Sequence, residues 1–315
     1  MTLRHNIDVH QHIFPPAYLA AAREAGRITD VGEQPAVLNW TPDSALARMD
    51  ELGIGLAFTS ISTPGVWWGD DARGRRLART CNEYAAGLAR EYPGRFGMFA
   101  SVPVPDVDGS LAEIAYGFDT LHADGVVVLT NYGDRWIGDP SHELVLAELN
   151  RRDAIVFVHP TVCTQCRDLL PNVPFTTVEY PLDTTRAVVS LLFNGVFSRF
   201  PNIRFIFAHG GGALPMVADR ITRIASARSD LTFPEPPLVL LKKQYYDVAL
   251  SVSVPALAGI TALAEPERIL FGTDHPFVEM GYTTDGLRRA GLDPVRLAAI
   301  ECENANRLFR GQPRA

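Results

Sequence analysis

Residues 6–13 read Asn-Ile-Asp-Val-His-Gln-His-Ile, and the rest of the chain is best understood from this early strand. Alternate side chains of a β-strand point to the same face, so His10 and His12 can meet one metal ion. The same spacing on a helix would turn the two imidazoles away from each other. A short His-x-His is a weak motif by itself. Its meaning therefore depends on the residues at the ends of the other strands.

The length and composition predict one large globular domain spanning residues 1–315. The chain has a mass of 34.5 kDa, and 47% of its residues are hydrophobic, which suffices for a sizeable core. Its net charge of -7 comes from acids and bases spread along the chain, which argues against a nucleic acid or an anionic membrane as partner. No apolar run approaches the ~20 residues that span a bilayer, and the N-terminus lacks a signal-peptide core. We therefore expect a cytoplasmic protein.

Short apolar runs alternate with helical segments along the whole chain. Strands are predicted at residues 6–13, 56–61, 96–102, 125–129, 154–158, 203–208, 245–249 and 269–272. Helices are predicted at residues 16–26, 42–53, 71–92, 109–122, 141–152, 184–200, from 213 onward and at 254–263. Continuous apolar strands are typical of a parallel sheet covered on both faces. The alternation predicts a (β/α)8 TIM barrel, with a small irregular insertion at residues 27–39 after strand one.

Polar residues of the kind that bind metals stand where the predicted apolar strands end. These residues are His10, His12, His159, His209 and Asp274. The C-terminal ends of all barrel strands converge on one face, so these side chains should surround one pocket. A single histidine there is usually a hydrogen-bonded residue, and a single aspartate is commonly a helix cap. Five together favour a metal site.

Imidazole nitrogens with a carboxylate suit zinc, and manganese is the alternative. The motifs of a nucleophile elbow, a phosphate-binding loop and a dinucleotide-binding loop are absent. The glycines at 210–212 are expected to let the backbone turn tightly beside His209. The other histidines, at 5, 122, 142 and 275, are interpreted as surface residues or as residues behind the ligands. The cysteines are interpreted as ordinary thiols, although Cys163 and Cys166 form a Cys-x-x-Cys that could be redox-active or half of a zinc site.

Four motifs in order along the chain resemble those of the amidohydrolase superfamily. They are Asp8-Val-His-Gln-His-Ile-Phe-Pro15, Phe157-Val-His-Pro160, His209-Gly-Gly-Gly-Ala-Leu-Pro215 and Gly272-Thr-Asp-His-Pro-Phe277. Within that superfamily the chain is similar to the metal-dependent non-oxidative decarboxylases typified by aminocarboxymuconate-semialdehyde decarboxylase. The resemblance implies an amidohydrolase-type barrel. It further implies that His10, His12, His159 and Asp274 hold the metal and that His209 handles a proton.

The resemblance also guides the expected substrate. Residues 60–65, 93–97 and 119–131 look closer to the 6-methylsalicylate decarboxylase group, which implies an ortho-hydroxybenzoate. Arg220 matches an arginine that reaches a substrate carboxylate across a dimer interface, so a homodimer is expected. A second substrate arginine has no counterpart in residues 32–40, which argues against a dicarboxylate.

Three further residues are assigned to the substrate pocket. His275 stands where the related enzymes usually have tyrosine, a change that would alter the polarity beside the metal. Trp67 and Trp68 could wall a flat aromatic ring, and the alternative is that they pack a helix onto the barrel.

The expected activity is that of a carbon–carbon lyase that needs a metal and no organic cofactor. Either Asp274 or His209 would deliver a proton to the ring carbon that loses carbon dioxide. One alternative is a metal-dependent hydrolase of a lactone or amide on the same scaffold. A carboxylated lysine bridging two metals is not expected, because residues 242 and 243 do not lie at a strand end. Another alternative is a binding or scaffold protein without catalysis.

Overall fold

Eight parallel strands form the centre of the structure, a computed structural model that describes residues 5–310. In chain order they are β1 (Asn6–His12), β2 (Ile54–Ser60), β3 (Phe96–Ser101), β4 (Gly125–Leu129), β7 (Ile155–His159), β8 (Arg204–Phe207), β9 (Tyr245–Asp247) and β10 (Ile269–Leu270). A small antiparallel hairpin, β5 (Asn131–Tyr132) and β6 (Arg135–Trp136), follows β4. Backbone hydrogen bonds from Val9 N to Phe271 O, 3.0 Å, and from Asp274 N to His10 O, 2.8 Å, join the two ends of the sheet. The predicted (β/α)8 barrel is confirmed.

Helices surround the barrel. They are α1 (Pro16–Glu24), α2 (Ile28–Val31), α3 (Pro35–Leu38), α4 (Pro42–Leu52), α5 (Asp71–Glu91), α6 (Val107–Asp119), α7 (Glu143–Arg151), α8 (Phe175–Phe193), α9 (Val196–Arg199), α10 (Leu214–Ala227), α11 (Pro237–Lys242), α12 (Val254–Leu263), α13 (Met280–Arg289), α14 (Pro294–Ala298) and α15 (Asn304–Phe309). Single 3-10 turns lie at Pro140–His142, Thr164–Cys166, His209–Gly211 and Pro266–Arg268, and a π turn lies at Ala299–Glu303. Within residues 5–310, no helix has the length and apolarity needed to cross a membrane.

The start and end of α4 follow from its sequence. The Thr41 side chain accepts a hydrogen bond from Ser44 N, and the Ser44 hydroxyl accepts one from Thr41 N. This reciprocal cap satisfies backbone donors that the first turn leaves unpaired. Gly53 follows the helix in the left-handed region, with φ of 72°, which glycine adopts without a steric penalty. Both predicted boundaries of α4 are confirmed.

Two predictions about local structure are wrong. Residues 27–39 were expected to be irregular, but they contain α2 and α3, single turns too short to show a helical period. The helix predicted from residue 184 begins at Phe175 and includes Pro181. Proline is usually disfavoured inside a helix. The carbonyl of Pro181 accepts hydrogen bonds from the Thr185 hydroxyl, 2.9 Å, and from Ala213 N, 3.4 Å. The predicted end at Phe200 is replaced by a break at Gly195, with φ of 67°, before α9.

Stacked aromatic rings fill the interior of the barrel. Phe99 stacks on Phe58 and on Phe157, with ring centroids 5.6 Å and 5.4 Å apart. Phe309 of α15 stacks on Phe58 at 3.8 Å and so fills the barrel below the strands. Phe157 also packs edge-on against the ring of His10, at 4.9 Å. The aromatic core therefore forms the floor on which the polar residues at the strand ends rest.

Candidate metal centre

The structure brings four of the predicted residues into one cluster. His10 and His12 lie on β1, His159 ends β7, and Asp274 follows β10, and all four are buried. One ligand atom from each lies within 4.8 Å of the others. His10 Nε2 is 3.1 Å from His12 Nε2, and both nitrogens lie near Asp274 Oδ1, at 3.2 Å and 3.1 Å. Three imidazole nitrogens and one carboxylate that converge in this way fit a divalent cation such as zinc or manganese.

The outer nitrogen of each imidazole is held by a second group. The contacts are His10 Nδ1 to Asp247 Oδ2 at 2.9 Å, His12 Nδ1 to Ser60 Oγ at 3.2 Å, and His159 Nδ1 to Pro160 O at 2.8 Å. A carboxylate or carbonyl acceptor keeps a proton on the outer nitrogen and leaves Nε2 with its lone pair directed inward. This arrangement is the one expected of metal-binding histidines.

Asp247 was not identified from the sequence. It ends β9, is fully buried, and accepts hydrogen bonds from His209 N at 3.0 Å and from Ala249 N at 2.9 Å. Its other oxygen holds His10. The strand predicted at residues 245–249 places Asp247 in its interior, whereas the structure ends β9 at Asp247 and so brings this carboxylate to the face that carries the cluster.

A second buried carboxylate, Asp8, lies behind the cluster on β1. It accepts hydrogen bonds from His10 N, 3.0 Å, and from the Thr273 hydroxyl, 2.6 Å. Burial raises the pKa of Asp8 to about 6, although these hydrogen bonds oppose the rise. Asp8 thereby ties β1 to the segment that carries Asp274 and positions ligands from both ends of the chain.

The pKa values of the cluster residues depend on their burial and on the charged groups beside them. Burial lowers the pKa of His12 and, together with the neighbouring histidines, holds the pKa of His159 well below its usual value. Burial alone would raise the pKa of Asp274, but the nearby imidazoles hold it well below its usual range. Burial also opposes a charge on His10, yet Asp247 and Asp274 outweigh it and raise the pKa of His10 to about 10. A metal ion bound by His10 would therefore displace a proton.

His209 lies beside the cluster, at the start of the turn that follows β8. Its Nε2 is 3.3 Å from Asp274 Oδ2, the oxygen that faces away from the other imidazoles. His209 and Asp274 both have left-handed backbones, with φ of 55° and 64°, which is uncommon for residues other than glycine and frequent at functional sites. The glycines at 210–212 all have positive φ, and a Cβ on Gly212 would lie 1.9 Å from Pro181 O. The tight turn expected beside His209 is present.

The two tryptophans assigned to the substrate pocket make contacts elsewhere. Trp67 Nε1 donates to Asp71 Oδ1 at 2.8 Å, at the start of α5. Trp68 Nε1 donates to Gly65 O at 3.0 Å, and its ring packs on Tyr18 with centroids 5.7 Å apart. These contacts favour the packing interpretation, and a role of either indole in substrate binding stays a prediction.

Two other residues predicted to bind the substrate, Arg220 and His275, differ in exposure. Arg220 lies on the exposed side of α10. His275 directly follows Asp274, and its carbonyl accepts a hydrogen bond from His12 N at 2.7 Å. Burial lowers the pKa of His275 to about 4, so its ring is neutral near pH 7. The chain thus places a neutral imidazole beside the cluster.

Aromatic rings that the motifs did not single out flank the cluster on two sides. The ring of Phe277 lies 5.4 Å from that of His12, and the half-buried ring of Tyr180 lies 6.3 Å from that of His159. Phe14 packs behind Phe277, at 5.7 Å. Phe277 ends the motif at residues 272–277. Tyr180 lies between the predicted strand at residues 154–158 and the predicted helix at residues 184–200. None of the four cysteines, at 81, 163, 166 and 302, forms a disulfide.

Comparisons with known proteins identify the family of the chain. Residues 7–311 match the amidohydrolase family. The chain is 36% identical to the decarboxylase yanB of Aspergillus niger over 286 residues, which cover 86% of this chain and 77% of that protein. It is 33% identical to the 6-methylsalicylic acid decarboxylase of Penicillium expansum over 276 residues, covering 86% and 84% of the two chains.

A solved structure shares the fold. It is the 5-carboxyvanillate decarboxylase of Novosphingobium aromaticivorans in complex with manganese and 4-hydroxy-3-methoxy-5-nitrobenzoic acid. The TM-score is 0.86 at 17% identity, and the alignment covers 97% of this chain and 96% of that chain. Because the family match extends over nearly the whole barrel and its metal-type cluster, the chain belongs to the amidohydrolase family.

Proposed function

We propose that this protein is a metal-dependent, non-oxidative decarboxylase that releases carbon dioxide from an ortho-hydroxybenzoate such as 6-methylsalicylate, or from a related acid of the aminocarboxymuconate-semialdehyde type. The observation that carries the proposal is the buried cluster of His10, His12, His159 and Asp274 with His209 beside it. The names of the relatives support decarboxylation over hydrolysis of a lactone or amide. No organic cofactor is needed for this chemistry.

The four cluster residues would hold one divalent ion, zinc or manganese. Manganese is supported by its presence in the related carboxyvanillate decarboxylase. Such an ion, when bound, would supply a Lewis acid for the oxygen atoms of the substrate. Ser60, Asp247 and the carbonyl of Pro160 would keep the imidazoles in the orientation that this requires.

We assign delivery of the proton to His209. The imidazoles around Asp274 hold its carboxyl group ionised, which makes it a poor acid, and its Oδ1 faces the metal-binding nitrogens. His209 contacts the free oxygen of Asp274, which can orient the ring. A proton from His209 would form the new C–H bond at the carbon that bears the carboxylate. The electrons of the breaking C–C bond then return to the ring as carbon dioxide leaves.

We also propose an isologous dimer formed through α10. Met216, Arg220 and Ile224 follow one another at four-residue spacing and so share one face of this helix. Met216 is 83% exposed and Ile224 45% exposed, which leaves apolar surface on both sides of Arg220. A partner covering this face would place Arg220 at a subunit interface.

The dimer predicts a specific effect of charge on α10. In Met216→Lys, an ammonium group would enter the interface beside Arg220 on the same helix face, and we expect the mass measured by light scattering to fall from dimer to monomer. Val295→Lys is the matched control, because Val295 is 76% exposed but lies on α14. A wild-type protein that is monomeric and fully active would contradict the dimer.

The remaining assignments complete the proposal. The partner is a small carboxylic acid rather than a nucleic acid or a membrane. We propose a cytoplasmic location, which is consistent with four cysteines that form no disulfide, since disulfides are rare in that compartment. Residues 1–315 would act as one domain. The function is tested by offering the metal-loaded protein a panel of hydroxybenzoates, a muconate semialdehyde and a pyrone lactone, and by measuring carbon dioxide and ring-opened acid separately.

A further inference from the structure

Two segments from opposite sides of the barrel meet across its C-terminal end. Asp30 lies on α2, in the insertion that follows β1, and Arg167 lies in the loop that follows β7. β1 and β7 are the first and fifth strands of a closed ring of eight, so their following segments start on opposite sides. The guanidinium of Arg167 nevertheless forms an ion pair with Asp30 Oδ1. This pair therefore crosses the mouth of the barrel, at the end where the metal-type cluster lies.

The charge of this bridge is positive. Asp30 Oδ2 also pairs with Arg27 Nη1, at 3.2 Å, so two guanidinium groups share one carboxylate. The side chain of Asp30 is 13% exposed, whereas that of Arg167 is 41% exposed. Solvent and an incoming molecule can thus reach Arg167. A second anion at this place would meet an uncompensated positive charge.

Arg167 is connected to the cluster by two aromatic rings. Its guanidinium lies over the ring of Phe175, 4.7 Å from the centroid, and Phe175 packs against Tyr180 at 5.8 Å. Tyr180 in turn packs edge-on against His159. These contacts link Arg167 to the cluster through the rings of Phe175 and Tyr180.

We infer that Arg167 is a substrate-binding residue that pairs with the carboxylate of the acid and exchanges Asp30 for it. The inference rests on the proposed function, because it takes the substrate to be an anionic aromatic acid. The planar guanidinium fork already binds one carboxylate in this structure, and it presents the same donors to another. The phenol product has no carboxylate. Arg167 therefore favours binding of the acid over retention of the product.

The decisive experiment compares acid and phenol in matched variants of the metal-loaded protein. Arg167→Ala should raise KM for 6-methylsalicylate by about 10- to 100-fold, the usual effect of losing a charged hydrogen-bonded pair. The turnover number, the metal content and the inhibition constant of 3-methylphenol should stay unchanged. Arg27→Ala is the control, since Arg27 pairs with the same aspartate and should leave KM unchanged. Asp30→Asn removes the competing carboxylate and should leave KM unchanged or lower it.

Other outcomes would overturn the inference. If Arg167→Ala binds the acid as tightly as the wild type does, Arg167 does not recognise a carboxylate. The same conclusion follows if the substitution weakens binding of the acid and of the phenol equally. If Asp30→Asn raises KM as much as Arg167→Ala, the pair is only a structural clasp. Arg167→Lys keeps the charge but loses the fork, so a KM between those of the wild type and the alanine variant is expected.

The proposed function can fail separately. If the wild type releases no carbon dioxide from the acid, the activity is wrong, and calorimetric binding of 6-methylsalicylate then replaces KM. Weaker acid binding in Arg167→Ala, with phenol binding unchanged, would still support the role of Arg167. Equal binding of the acid by Arg167→Ala and wild type would refute it.

Discussion

Alanine at position 159 should remove the bound metal and abolish carbon dioxide release together. His159 is the one cluster residue supplied by β7, and its ring packs edge-on against that of His12, with centroids 4.7 Å apart. Even loss of a group behind a ligand typically weakens metal binding by about 10- to 100-fold, so loss of the ligand should exceed that. Elemental analysis and a carbon dioxide assay measure the two effects.

His142→Ala is the matched control for this variant. His142 is as deeply buried as His159 but lies in the turn before α7, outside the cluster. It should keep about one divalent ion per chain and its activity. A His159→Ala protein that retained the metal, or a metal-free wild type with full activity, would show that the cluster is not the metal centre.

Alanine at position 209 should have a different effect. Carbon dioxide release should fall by about 100- to 10,000-fold, which is the usual contribution of a positioned acid or base, while the metal stays bound. The reason is that His209 Nε2 contacts Asp274 Oδ2, whereas Nε2 of His10 and of His12 lies near Oδ1. The measurement is activity together with metal content on the same preparation. Loss of metal in His209→Ala would make His209 a ligand and leave the proton donor unassigned.

The barrel could be predicted because its strands are fully covered. Runs such as Ile155-Val-Phe-Val158 have no polar face. Such strands indicate a parallel sheet that is covered by helices. Boundaries were predicted where a local rule applies, as at Thr41 and Gly53. The start of α8 was missed because a proline such as Pro181 normally marks a helix boundary, whereas the structure continues the helix through it.

Some residues of the candidate site could also be predicted from the sequence, and others could not. His10, His12, His159, His209 and Asp274 could be predicted to converge, because position at a strand end determines position in space. Asp247 was missed because the strand predicted at residues 245–249 continues past it, whereas β9 ends at Asp247. Arg167 and Asp30 are 137 residues apart, in a loop and a single helical turn without periodicity, so their contact has no sequence signal. The tryptophan pair drew attention by residue type, yet its contacts are made with the loop after β2 and α5.

The protein should remove the carboxylate of an ortho-hydroxybenzoate only with its metal bound. The most direct measurement is to incubate the metal-loaded protein with 6-methylsalicylate in deuterated water and to analyse gas and ring products by chromatography and mass spectrometry. We expect equal amounts of carbon dioxide and 3-methylphenol, with one deuterium at the carbon that carried the carboxylate, and neither product after the metal is removed. Absence of carbon dioxide from every hydroxybenzoate tested, with hydrolysis of the lactone instead, would contradict the decarboxylase assignment.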